Sequence, residues 1–228
     1  MNEAAPAPFA WEPCVGAAVR AAAGQVSTAH DIGHVERVVR LARALQQRGA
    51  HPAADAEVVI AAAWCHDLGR FSAGKGRGKG KTRHAEQSAD AADDLFDQCG
   101  FPATKRALVR ECLLRHSWRA RATDGDAVPA ELQLLRDADA LDAIGAIGIA
   151  RAFGHAGERR HPMGDPEDAV PSPDVADAPE TTFGHFAEKL LRIADHLYSA
   201  EARAIAADRV AFMELFINQF TAERDLER

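Results

Sequence analysis

Between residues 34 and 47 the apolar positions Val35, Val38, Val39, Ala42 and Leu45 recur three or four residues apart, with charged residues between them. That period buries one face of an α-helix and leaves the other in water. The next run is different. "VVIAAAWC", Val58 to Cys65, has no polar position at all, and it ends abruptly in His66 and Asp67. The predicted elements are helices over 13–25, from near Thr28 to the stop at Gly49, and over 53–67 behind Pro52. Gly69 to Arg83 is glycine-rich and basic and is expected to be a mobile loop. Helices follow over 84–100 and 102–117, and over 129–153 as one long helix or two that abut. Residues 157–182 are irregular, and 183–227 are helical again, with Phe212, Phe216 and Phe220 expected to form a core stripe. No strand run or internal repeat stands out. The fold class is all-α, a single helical-bundle domain over 1–228.

Composition narrows the functions open to such a bundle. Hydrophobic residues make up 47% and aromatics 6%, with much alanine, which favours packed helices. The net charge of -7 argues against a nucleic acid polymer as partner. It leaves room for a small anion, because Arg70, Lys75, Arg77, Lys79, Lys81 and Arg83 make one segment locally positive. Cys14, Cys65, Cys99 and Cys112 form no CxxC pair, so no zinc knuckle is expected, and reduced buried thiols are. No stretch approaches the ~20 apolar residues of a membrane span, and the N-terminus lacks a signal pattern, so a cytoplasmic protein is expected.

The candidate chemistry lies in histidines beside acids: His30–Asp31, His34, His66–Asp67, His84 and His116, together with Asp137, Asp139 and Asp142. Three Asp in six residues of a helix work against propensity and call for a reason. Imidazole and carboxylate together suit zinc, manganese or iron. "HDIGH" has the i, i+4 spacing of a zinc peptidase, with Asp31 as its base, but no distal ligand follows and His66–Asp67 is left over. "GKGRGKGK" lacks the Walker spacing, although its glycines let backbone approach an anion closely. Arg37 stands one turn from His34 and is a candidate phosphate contact.

"HVERVVRLA", "CHDLGR" and "DADALDAIG" resemble, in order, the three signatures of the HD-domain superfamily of metal-dependent phosphohydrolases. The resemblance implies His34, His66, Asp67 and Asp139 as metal ligands, with 28–153 as the metal-binding core. Asp137 is then either an orienting residue or a surface acid. Some members carry two further histidines for a second metal, and His84 and His116 occupy those intervals; they are alternatively phosphate contacts or acid–base groups beside one metal. Asp67, His84 and His116 are the catalytic candidates. "HPMGDP", "TTFGHFAEKLL" and "FMELFINQF" extend the likeness to a bacterial subgroup that includes nucleoside triphosphate pyrophosphohydrolases. That subgroup implies a divalent metal, often manganese, with Mg, Fe, Co, Ni or Zn as alternatives. It implies a phosphorylated substrate, a nucleotide, met by Arg37, Arg70, Lys81, Arg151 and Lys189, in a monomer or homodimer. The competing expectations are a 5'-nucleotidase, a cyclic-nucleotide or alarmone hydrolase, and a nucleotide-sensing module without turnover.

Overall fold

The structure is a computed structural model that describes residues 9–23, 31–72, 83–123, 127–169 and 180–226. Helices α1 (Glu12–Ala23), α2 (Ile32–Gln47), α3 (Ala56–Cys65), α4 (Leu68–Ser72) and α5 (Arg83–Cys99) form its first part. α6 (Arg106–Arg115), α7 (Ala130–Asp142), α8 (Gly145–Arg159), α9 (Thr182–Glu188) and α10 (Ala200–Arg224) complete it, with short 3-10 turns between. The described residues contain no strand, so the all-α expectation holds. No helix among them is long and apolar enough to cross a membrane.

α3 explains why "VVIAAAWC" has no polar side. All eight residues are buried, because α1, α2, α5, α6 and α7 pack around this helix. A helix apolar all round is stable only when covered all round. α1 is tied to it by Glu12, whose carboxylate accepts from Trp64 Nε1 at 3.0 Å and pairs with Arg43 of α2. α2 shows the ordinary pattern: Val35, Val38, Val39, Ala42 and Leu45 are buried, and Asp31 caps its start by accepting from His34 N at 2.8 Å.

Several boundaries differ from the sequence reading. α3 starts at Ala56 rather than behind Pro52, because Asp55 caps it. The segment expected to be a loop from Gly69 begins as helix α4, and residues 73–82, with Lys75, Arg77, Lys79 and Lys81, lie outside the described residues. Over 129–153 the second of the two expected alternatives holds, two abutting helices parted at Ile144, which is extended, and Gly145, whose φ of +78° suits a residue without a Cβ; the later helix runs on to Arg159. Phe216 and Phe220 pack on the core, but Phe212 is 46% exposed, since a repeat of four drifts around a helix of 3.6 residues per turn.

The thiol expectation is also corrected. Cys14 and Cys99 form a disulfide, Cα to Cα 5.6 Å, while Cys65 and Cys112 are free and buried. Spacing along the chain carries no signal for a bridge made between two helices packed in space.

Candidate metal centre

α2 delivers His34, the turn after α3 delivers His66 and Asp67, and α7 delivers Asp139. One ligand atom from each of His34, His66 and Asp139 lies within 4.8 Å of the others. Asp67 stands beside them, its Oδ2 3.8 Å from His34 Nε2 and 3.9 Å from His66 Nε2. Its other oxygen accepts from Arg70 Nε at 2.6 Å. His34, His66 and Asp67 are buried, whereas the Asp139 side chain is 30% exposed, so solvent reaches the group along Asp139.

The imidazoles are fixed from behind. His34 Nδ1 donates to Asp142 Oδ2 at 2.8 Å, and His66 Nδ1 donates to the Ala63 carbonyl at 2.8 Å. Those acceptors leave each Nε2 with its lone pair, and the two Nε2 atoms face each other at 3.2 Å. Facing lone pairs repel unless a proton or a cation lies between them. With Asp139 Oδ1 at 3.4 Å from His34 Nε2, the donors fit a divalent cation of the kind imidazole and carboxylate select. Electrostatics keeps them in ligating form. Burial lowers the His34 pKa against the pull of Asp142. Partial burial pushes Asp139 up, but the imidazoles of His66, His34 and His116 outweigh it and hold the carboxyl at about 2.

His116 extends the row. Its ring stands 5.4 Å from that of His66, and the His84 ring 5.9 Å beyond. Burial, with His66 nearby, lowers the His116 pKa to about 4, and its Nδ1 donates to the Leu113 carbonyl at 2.7 Å. His84 is half-buried, with Nε2 3.4 Å from Arg70 Nη2. Ser88 ties this helix to the His66–Asp67 turn: its Oγ accepts from Gly69 N and donates to the His66 carbonyl, both at 2.9 Å. A Cβ on Gly69 would stand 2.3 Å from the His84 carbonyl oxygen, so glycine permits this approach.

The HD-domain family model matches residues 31–144, a span that takes in His34, His66–Asp67 and Asp139. The chain belongs to the HD-domain family. The uncharacterized protein YpgQ of Bacillus subtilis is 32% identical over 205 residues, 88% of this chain and 86% of its own. Among solved structures, a Lactobacillus plantarum protein matches with a TM-score of 0.73 and 27% identity, over 96% of this chain and 99% of that one. An HD-superfamily hydrolase of Bacillus thuringiensis matches with a TM-score of 0.67 and 26% identity, over 94% and 96%. YpgQ in complex with ADP matches with a TM-score of 0.65 and 27% identity, over 92% and 95%.

Within this HD domain the expected site residues separate into two groups. Arg70 and Lys189 gather near the metal-facing side, with Asp139 and Arg70 among the charged neighbours of Lys189; Arg151, also among them, stands between the two sides and donates to Asp142 Oδ2 at 2.8 Å. Burial lowers the Lys189 pKa, and Asp139 opposes that. Its ammonium also lies 5.8 Å from the centre of the Trp118 ring, a residue the sequence reading passed over. Arg37 is not brought to the metal side. Its Nε and Nη2 donate to Asp142 at 2.6 and 3.1 Å, on the Nδ1 side of His34. Lys81 and His30 lie outside the described residues. Asp31 is a helix cap rather than a catalytic base. Asp137 turns away from the metal: its oxygens accept from Tyr198 N at 2.8 Å, Ser199 N at 2.9 Å and Ser199 Oγ at 2.7 Å, at the start of α10.

Asp142 is among the candidate acids of the sequence but is given no role there. It is fully buried and takes hydrogen bonds from His34, Arg37 and Arg151. Carboxylates that hold a ligating imidazole by its other nitrogen fix the ring and raise its basicity. The signal available was its place three residues after Asp139, on the same helical face.

Proposed function

We propose that this HD-domain chain is a divalent-metal-dependent phosphohydrolase acting on nucleotides, of the nucleoside triphosphate pyrophosphohydrolase type, with manganese as its metal. One observation carries the reading: the lone pairs of His34 and His66 converge with Asp139, and the cations Lys189, Arg151 and Arg70 stand around that point. Hydrolysis of a phosphoanhydride needs positive charge on the phosphoryl oxygens and an acidified water, and a metal held here supplies both. His34, His66, Asp67 and Asp139 hold it, one ion being sufficient for this donor set. Lys189, Arg151 and Arg70 bind and orient the phosphates. Asp67, bonded to Arg70, accepts a hydrogen bond from the attacking water. His116, neutral at working pH, and His84 at the rim move the proton toward the leaving group. That YpgQ was solved with ADP supports a nucleotide as substrate.

The test is a panel of nucleoside triphosphates with manganese, its products read by phosphorus NMR. Pyrophosphate and a monophosphate are expected. Orthophosphate would move the assignment to a nucleotidase, and an opened cyclic ester to a phosphodiesterase. Binding without turnover across Mn, Mg, Co, Ni and Fe would leave a nucleotide sensor. Asp67→Ala is expected to abolish both metal retention and turnover, and full activity in that variant would overturn the ligand set.

A further inference from the structure

On the Nδ1 side of His34 the surface sinks into a depression of about 380 Å³. Arg37, Arg40 and Arg209 line it together with Leu41, Ala44 and Ile147. Asp142 closes its inner end, and none of His66, Asp67 or Asp139 reaches it. It is therefore separate from the face where Lys189 and Arg70 meet the ligand cluster.

The charges there do not balance. Asp142 is shared by Arg37, Arg151 and His34. Arg209 reaches over Gly145 to donate to the Leu141 carbonyl, and burial lowers its pKa with only partial relief from Asp142. Arg40 is exposed and makes no hydrogen bond or ion pair among the described residues. Guanidiniums outnumber carboxylates even with Asp31 near Arg37. Arg209 is the partly buried cation here that is bonded to a carbonyl and to no carboxylate, and an anion that pairs with it recovers the cost of its burial. Among the residues lining the depression, Ile147 is 39% exposed, so the lining offers apolar surface as well as charge. That pairing of surfaces suits a molecule with a phosphate at one end and an apolar body at the other.

We propose that this depression is a second anion site that takes a phosphate-bearing small molecule. The phosphate sits between Arg40 and Arg209, and Leu41, Ala44 and Ile147 cover the rest of the ligand. The site stands whether or not the chain hydrolyses nucleotides, because its test reads binding to metal-free protein. Inorganic pyrophosphate is titrated calorimetrically into the chelator-treated full chain at ~0.15 M salt, which screens loose surface attraction. One saturable site is expected. Arg40→Glu should weaken it about tenfold or more, the loss that follows when a direct charge partner is reversed. Arg48→Glu makes the same charge change about two turns along α2 on exposed surface, and should leave the affinity within about twofold. Lys189→Ala, on the metal-facing side, should also leave it intact. Absence of saturable binding overturns the proposal. So does equal binding by Arg40→Glu, equal weakening by Arg48→Glu, or loss in Lys189→Ala, which would place the anion at the ligand cluster.

Discussion

Asp137, Asp139 and Asp142 are three identical side chains with three different tasks, and the helix decides which does what. Two residues along an α-helix turn a side chain about 200°, so Asp137 and Asp139 point to opposite sides. Three residues bring it nearly back, so Asp142 follows Asp139 toward His34. The density of acids was legible in the sequence, and so was Asp139 by resemblance. That Asp142 rather than Asp137 orients a ligand depended on what α10 and α2 bring to each face. Asp142→Asn removes the charge that holds His34 Nδ1 while keeping its shape. Manganese affinity is expected to fall about 10- to 100-fold by calorimetry, with the helical circular dichroism retained. Unchanged affinity would mean that His34 needs no such support. Gly69→Ala is a packing test of the same region. Its methyl would meet the His84 carbonyl, so an overpacking loss of about 1–3 kcal/mol is expected in chemical denaturation.

At the scale of elements, the periodic pattern located the helices well and their ends poorly, since ends are set by capping atoms. α3 is the clearest case. Pro52 marked an approximate start, but Asp55 accepts from Glu57 N at 2.9 Å and Val58 N at 3.4 Å and is paired with Lys105 at 2.6 Å. Lys105 lies on a different element 50 residues on, which no local pattern foretells. Asp55→Ala should cost about 1 kcal/mol of stability, the usual loss of a cap. Partial burial raises the Asp55 carboxyl, but Lys105 and the two amides outweigh it and lower the pKa below its ordinary 3.8. A carboxyl lowered by folding stabilises the fold above its unfolded value, and that contribution is lost as pH falls through the folded one. The stability gap between wild type and Asp55→Ala should therefore be full at neutral pH and close in acid below about 3.8. A gap constant into strong acid would show that the carboxylate is not the cap.

The whole molecule raises the question of what holds the N-terminal helix to the bundle, and the answer lay furthest from the sequence. α1 packs on α3, α4 and α5, and its Cys14 is bonded to Cys99 at the end of α5 across a separation of 85 residues. Closing so long a loop removes much freedom from the unfolded chain, about 4–5 kcal/mol in the chain-entropy account, with measured bridges near 2–5. For a domain of this size each kcal/mol moves the melting temperature about 2–4 °C, so reduction should lower it by roughly 4–20 °C. The Cys14→Ser, Cys99→Ser double variant should melt like the reduced wild type and not respond to reductant. The remaining thiols give an internal count. Burial pushes the Cys65 pKa far up and, with Glu131 and Glu111 nearby, the Cys112 pKa to about 12, so neither is a thiolate at pH 8. A thiol reagent should therefore find no reactive cysteine in the native unreduced protein, the two buried ones after unfolding, and all four after unfolding with reductant. Four reactive thiols on unfolding without reductant, together with a melt indifferent to reduction, would show that α1 is held without the bridge, by its buried Val15 and Val19 and the bonds of Glu12 to Trp64 and Arg43.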